Sequence, residues 1–357
     1  IMEALGIDML PPESGVPTIR RELTYGGTRG EILVAGRLGA WVEEKDENGG
    51  LDVEKVNAML AEMTHPLAML GEVKAAKLYG GLIVETELDP TVEPYLYDHQ
   101  VEPDLAWLPG VMGTESMVQA ATVLTPGYDV VSVENQTNLG AFKFHRDKPQ
   151  TMRLTVNILA GATDELLADV LLQSIFQPPR PELPVQIKDH FAAMVRLRKA
   201  GSEDVGGELP TVGFTVPSAD ELPITAEEIY AVFFHGPAYQ VIERAKVEGD
   251  SALSLMTEGL IPNAANENAA ELTTPRLFEH MVQAPALWST KTNGAMALPA
   301  GFEKATVYRQ PSEANGQRLY ALTEAIDGGE RFNVTMVDES GNVYATLEGY
   351  QTVLMPG

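Results

Sequence analysis

"DHQVEPDLAWLPGVMGTESMVQ", residues 98–119, sets one histidine, His99, in an extended, proline-punctuated run and then opens a helix with Pro109-Gly110. Val111, Met112, Met117, Val118 and Ala121 recur at helical spacing, so at least one face of that helix is strongly apolar. A lone carboxyl, Glu115, sits among them. On either side, "KLYGGLIVETEL", "VVSVENQTNLGAFKFH", "TMRLTVNIL", "ADVLLQSIF" and "HFAAMVRLR" alternate or run apolar with β-branched residues, as strands do. One long helix among antiparallel strands predicts a sheet wrapped around that helix, an α+β arrangement.

The pattern recurs. "TTPRLFEHMVQAPALWST" (273–290) is a second apolar helix opened by Thr-Pro, and Glu279 and Gln283 repeat the spacing of Glu115 and Gln119, with Met-Val just before each glutamine. Strands follow in "EKATVYRQ", "QRLYALTEAI" and "RFNVTMVDESGNVYATLEGYQTVL". The acidic, glycine-rich stretch "KAGSEDVGGELPTVGF" (199–214) lacks periodicity and separates the two copies. The expected organisation is a tail and linker over 1–60, one lobe over 61–200, a linker over 201–222 and a second lobe over 223–357. Within the tail, "EILVAGRLGAWVEE" is expected to form a strand and "VEKVNAMLAEM" a short helix. Pro285 is expected to end or kink the second long helix about a turn after Glu279.

At 357 residues with 44% hydrophobic side chains, the chain can bury two cores. It begins at Ile1 without a signal-like segment and reads as a piece of a longer, cytoplasmic polypeptide; no run suits a membrane span. Cysteine is absent, which removes disulfides, thiolate catalysis and cysteine zinc sites. A formal charge of −26 argues against nucleic acid and anionic lipid as partners. G-x-S-x-G, P-loop, G-x-G-x-x-G and H-E-x-x-H patterns are missing, and no residue set suggests a metal.

His99 lies sixteen residues before Glu115, and the same offset from Glu279 falls on Asn263. Both lobes therefore carry the carboxyl and one carries the ring. A pseudo-two-fold pair would keep one complete site if His99 met Glu279 across the interface, leaving Glu115 a structural role. A neutral imidazole beside a protonated carboxyl suits β-elimination: the base takes the acidic proton next to a thioester carbonyl and the acid protonates the departing hydroxyl. An apolar setting would keep Glu279 protonated by raising its pKa. Gly110, at a helix start, offers a free N–H to the enolate-like oxygen and lets substrate approach closely. His65, His145, His190 and His280 show no such partner pattern.

The stretch "PYLYDHQVEPDLAWLPGVMGTESMVQAA" resembles the hot-dog dehydratases of fatty-acid and polyketide synthesis. "HPLAML", "FFHGPAYQ" and "YATLEGYQTV" are similar to further marks of the polyketide-synthase dehydratase, a double hot dog. "GAFKFHRDKPQTM" and "PRLFEHMVQAPALW" look most like the iterative synthases of polyunsaturated fatty acids, and "MLPPESGVPTIRRELTYGGTRGEILVAGRLG" like the tail of a ketoreductase domain. The resemblance implies His99 as base, Glu279 as acid, Gly110 as N–H donor and Gln283 as the group orienting the acid or the leaving hydroxyl. It implies Pro109, Trp107, His235, Gly236, Pro237 and Tyr239 around the substrate. Pro103 replaces the family's glycine, the histidine-to-proline spacing is one residue longer, and His235 stands where tyrosine is common.

The implied activity is dehydration of 3-hydroxyacyl thioesters on an acyl carrier protein, beside neighbouring synthase domains. No cofactor is implied beyond the carrier's phosphopantetheine arm. A homodimer is a further expectation, and Arg196, Arg198 and Lys199 offer a basic strip to the acidic carrier. The rival readings are a degenerate double hot dog that binds carrier or dimerises, and a cyclase, isomerase or thioesterase of the same fold.

Overall fold

Residues 12–25, 53–64, 66–76, 81–160, 164–178, 182–202 and 209–354 are described by the computed structural model. Helix α1 (Pro12–Tyr25) and helix α2 (Val53–Ala61) come first. The Asn57 side chain bonds both the N–H and the carbonyl of Val73, at 2.8 and 2.9 Å, which ties α2 to the start of the first lobe. The strand expected from "EILVAGRLGAWVEE" lies outside the described residues.

The first lobe holds β1 (Glu72–Ala75), β2 (Leu82–Leu88), α3 (Pro94–Tyr97), β3 (Gln100–Glu102), β4 (Leu105–Trp107), α4 (Gly110–Val123), β5 (Tyr128–Asn138), β6 (Lys143–His145), β7 (Gln150–Ala160), β8 (Glu165–Phe176) and β9 (Gln186–Lys199). Alternation sets the strands on the helix: in β2, Leu82, Val84 and Leu88 are buried while Glu87 faces water. Helix α4 is buried on every side from Val111 to Ala121, its polar residues Thr114, Glu115, Ser116 and Gln119 included. A helix enclosed by its own sheet has no solvent face, so its polar groups must find partners inside.

The second lobe repeats this with β10 (Ile224–Thr225), α5 (Ala226–Tyr230), β11 (Ile242–Glu248), β12 (Ser251–Met256), α6 (Pro275–Asn293), β13 (Ala297–Val307), β14 (Leu319–Ile326), β15 (Arg331–Asp338) and β16 (Val343–Leu354). Of the two expected outcomes, ending or kinking, Pro285 does not end α6. The helix runs through it to Asn293 and stops at Gly294, whose left-handed φ of 69° lets its N–H reach Thr290 O. An interior proline costs about 3 kcal/mol; burial of Ala284, Pro285, Leu287 and Trp288 offsets that loss.

One continuous sheet joins the lobes, in the order β1-β2-β7-β8-β9-β5-β13-β16-β15-β14-β12-β11-β10. Six strands of the first lobe meet seven of the second at the β5–β13 seam, where Phe302 pairs with Gln136 and Ala305 with Val133, antiparallel. Part of the expected linker is structured: Val212 N–H donates to Gly341 O and Pro210 O accepts from Val343 N–H, laying 209–212 along the β15–β16 turn. Among the described residues no helix is long and apolar enough to cross a membrane.

Candidate active site

His99 follows α3 and is fixed at backbone and ring. Its N–H donates to Leu96 O, its carbonyl accepts from Trp107 N–H, and its Nδ1–H donates to Trp107 O at 2.9 Å. A carbonyl partner dictates the tautomer, so Nε2 keeps a free lone pair. The rings of Phe234, His235 and Tyr239 stand 5.0, 5.4 and 5.9 Å away. This enclosure, followed by the nearby His235 charge, pulls the His99 pKa down to about 4, so the ring is a neutral base at pH 7.

Glu279 arrives from the other lobe on α6, as the spacing argument expects. His99, His235 and Glu279 present ligand-type atoms that all lie within 4.8 Å of one another. Glu279 Oε1 accepts from Gln283 Nε2 at 2.9 Å and stands 3.2 Å from His235 Nε2. Gln283 also donates to Tyr239 O and accepts from Tyr230 O–H, which locks the amide. Helical i, i+4 spacing puts Gln283 one turn above the acid.

One expectation is corrected here. Burial raises the Glu279 pKa, but the hydrogen bond and charge of His235, with His99 and Gln283, outweigh it and leave the carboxyl below its ordinary value. The apolar neighbours are present; the acid's open face meets a histidine instead. No other His, Asp and Glu cluster among the described residues is tight enough to hold a cation. Within this one, Glu279 Oε1 already serves two donors.

Asp98 aligns the two histidines. Its carbonyl accepts Gly236 N–H at 2.7 Å, its Oδ2 accepts Ala238 N–H at 2.7 Å, and His99 and His235 pair in a one-residue antiparallel bridge. A Cβ on Gly236 would fall 2.4 Å from Asp98 Oδ1, so only glycine fits the clip. Sequence reasoning missed Asp98, which carries no motif of its own.

A cavity of about 260 Å³ opens on the trio and runs along the β5–β13 seam. His99, Trp107, Gly110, His235, Glu279 and Gln283 line it, and Thr114, Gln136, Asn138 and Phe302 extend the wall. Gly110 begins α4 and lines the cavity, and a Cβ there would meet only Asn138 Nδ2, at 4.0 Å, so the space a side chain would take is open. Pro109, Gly236, Pro237 and Tyr239 stand behind this lining: Pro109 caps α4, Gly236 and Pro237 shape the clip, and Tyr239 is wholly buried. Trp288 packs on Phe332 in the core and donates to Gly249 O.

The counterpart carboxyl, Glu115, is closed off. It accepts Leu272 N–H and Thr273 N–H at 2.7 Å each, the Thr273 hydroxyl at 2.5 Å and Gln119 Nε2 at 2.6 Å. It faces a backbone turn rather than a cavity. Asn263, opposite Met112, accepts Tyr95 N–H through its carbonyl, a structural contact. His190 bonds Gly140 O and Ser174 Oγ, His280 bonds Ser254 Oγ, and His145 is exposed; His65 lies outside the described residues. The expected basic strip is engaged elsewhere: Arg196 pairs with Glu134 and Glu165, and Arg198 with Glu165.

This geometry defines a class: a double hot dog whose single complete site lies between its lobes. Known proteins agree. Residues 219–356 match the family described as the polyketide synthase dehydratase N-terminal domain. The dehydratase domain of the CurF module of curacin polyketide synthase superposes with a TM-score of 0.63 at 18% identity, covering 81% of this chain and 99% of that one. A trans-AT polyketide synthase dehydratase from Brevibacillus brevis gives 0.59 at 16% identity, over 82% and 100%. A dehydratase of the borrelidin and fluvirucin synthases gives 0.59 at 18%, over 84% and 99%. No curated protein matches significantly by sequence. The chain has the fold of these dehydratase domains, and its second lobe matches their family model.

Proposed function

We propose that the chain eliminates water from 3-hydroxyacyl thioesters carried on an acyl carrier protein within a polyketide or fatty-acid synthase. The observation that carries this reading is the meeting of His99 and Glu279, from different lobes, at one cavity while Glu115 is sealed. His99 Nε2 takes the proton next to the thioester carbonyl, and that electron pair becomes the new carbon–carbon double bond. The Cβ–O bond breaks, and the leaving oxygen takes a proton from Glu279 and departs as water. Gly110 N–H, at the positive end of α4, faces the oxygen on which charge develops. Gln283 holds the acid in place.

The chemistry draws on side chains and one N–H, with the phosphopantetheine arm as the substrate's handle. Structures of the CurK dehydratase, of the same fold, are described as inactive mutants after an aspartate-to-asparagine or a histidine-to-phenylalanine exchange, which supports a histidine and a carboxyl as the working pair. Carrier and neighbouring synthase domains are the proposed partners, and a homodimer is tested by light scattering.

The assay is mass spectrometry of a 3-hydroxyacyl carrier protein incubated with the chain. Loss of water supports the reading; unchanged mass points to a degenerate fold, and free acid to a thioesterase. His99→Ala and Glu279→Gln should each lower the rate by roughly 10²–10⁴-fold. Retained dehydration in both refutes the assignment.

A further inference from the structure

The wall of the cavity on the β5 side carries amides that the elimination has not yet used. The strand reaches them through a bulge. Glu134 lies outside on Arg196; at Asn135 the backbone takes a left-handed φ of 52°, and the pairing with β9 slips by one residue between Glu134 and Thr137. Such a bulge re-aims the side chains that follow it. Val133 is buried before the slip and Gln136 after it, where strict alternation would turn Gln136 outward with Glu134. Gln136 and Asn138 both line the cavity as a result.

A chain of hydrogen bonds orients these amides. Asn138 Nδ2 donates to Pro299 O at 3.1 Å, across the lobe seam, and a carbonyl only accepts. That anchor decides the flip of each amide behind it. Asn138 Oδ1 faces Gln136 Nε2 at 3.4 Å, and Gln136 Oε1 faces the Thr114 hydroxyl at 2.7 Å. The second hydrogen on Asn138 Nδ2 has no partner among the described residues. Its nitrogen is 4.0 Å from the point where a Gly110 Cβ would stand, in the open space that Gly110 lines at the start of α4.

We propose that Asn138 is a second hydrogen-bond donor to the thioester oxygen, completing with Gly110 N–H a two-donor oxyanion site. The proposal rests on the dehydratase reading and deepens it. When His99 takes the proton from carbon, charge grows on the thioester oxygen until the Cβ–O bond breaks. One donor fixes where that oxygen lies. Two fix the plane of the carbonyl as well, and with it the C–H that faces His99. No bond is made or broken at Asn138. Its amide does not titrate, so it steadies the anion without competing with Glu279 for a proton. Tied to Pro299 O and Gln136, it is in place before the charge develops.

The test joins kinetics to a carbonyl reporter. Asn138→Leu, close in volume and unable to donate, should lower kcat by about 10²–10³-fold and leave KM nearly unchanged. A 2-enoyl pantetheine thioester carrying carbon-13 at its carbonyl is bound to the intact chain and read by NMR. The bound resonance should lie downfield of the free compound, and Asn138→Leu should shrink that displacement without abolishing it, because Gly110 N–H remains. Thr114→Val, at the far end of the amide chain, should move kcat and resonance in the same direction by less, and serves if Asn138→Leu does not fold. A resonance that stays at the wild-type position in the variant that folds overturns the proposal, as does a loss confined to KM. If the wild-type chain binds the enoyl thioester yet never dehydrates the 3-hydroxyacyl form, the dehydratase reading fails, and the resonance still decides whether Asn138 donates.

Discussion

The same isosteric change, glutamate to glutamine, should have opposite effects at the two pseudo-symmetric positions. At Glu115 both carboxyl oxygens are spoken for by buried donors: Leu272 N–H and Gln119 Nε2 at Oε1, and Thr273 N–H and its hydroxyl at Oε2. Glutamine has one acceptor oxygen, so whichever way its amide turns, at least one backbone N–H faces an NH2 group. A stranded buried donor costs about 1–3 kcal/mol, and Glu115→Ala, which strands three donors and leaves a void, should cost about 3–6 kcal/mol. Glu279 has both its side-chain donors on Oε1, where a glutamine carbonyl can still accept them, and a cavity on its free edge, so Glu279→Gln should change stability by less than about 1 kcal/mol while slowing dehydration by roughly 10²–10⁴-fold. Equilibrium urea denaturation at pH 7 measures the first effect and the carrier-protein mass assay the second. The reasoning is refuted if Glu115→Gln is as stable as the wild type, or if Glu279→Gln is the more destabilised of the two.

Other outcomes are expected. Gly110→Ala should fold normally, because its Cβ enters open space, yet slow dehydration by crowding the N–H that faces the thioester; unchanged kinetics would remove Gly110 from the site. Gly236→Ala should push Asp98 aside and loosen both histidines, lowering stability and rate together in thermal melts and turnover assays. His99, half-buried against the lobe interface, and His280, fully buried, have pKa values pulled down to about 4 and about 3, so the folded state binds fewer protons than the unfolded one. Their contribution is full above the unfolded histidine value of about 6.5 and is lost as pH falls towards the folded values. The urea midpoint should therefore drop between pH 7 and 4, and His280→Gln should flatten that slope.

Much of this arrangement was legible in the residues. The repeated E-x-x-x-Q on two apolar helices carries the duplication, and the offset that lands on Asn263 carries the asymmetry, so His99, Glu279 and Gln283 follow from spacing. The state of Glu279 does not, because apolar neighbours along α6 say nothing of a ring arriving from 44 residues earlier in the chain. Asp98 carries no signal for the same reason: its work is done on Gly236 and Ala238, and a contact across 140 residues leaves no periodic trace. Pro285 misled because a local rule about helix interiors competes with burial by a sheet that folds around it. The arginines of β9 look like a docking strip in sequence and prove to be cross-strand partners of Glu134 and Glu165.

The closure of Glu115 by the Thr273 turn gives the molecule a front and a back. Two equal hot dogs would offer a pair of mouths and could be loaded from either side. With one mouth stopped, the proposed reaction would serve a single tethered acyl chain per pair of lobes, and on that reading a swinging arm must come round to one side.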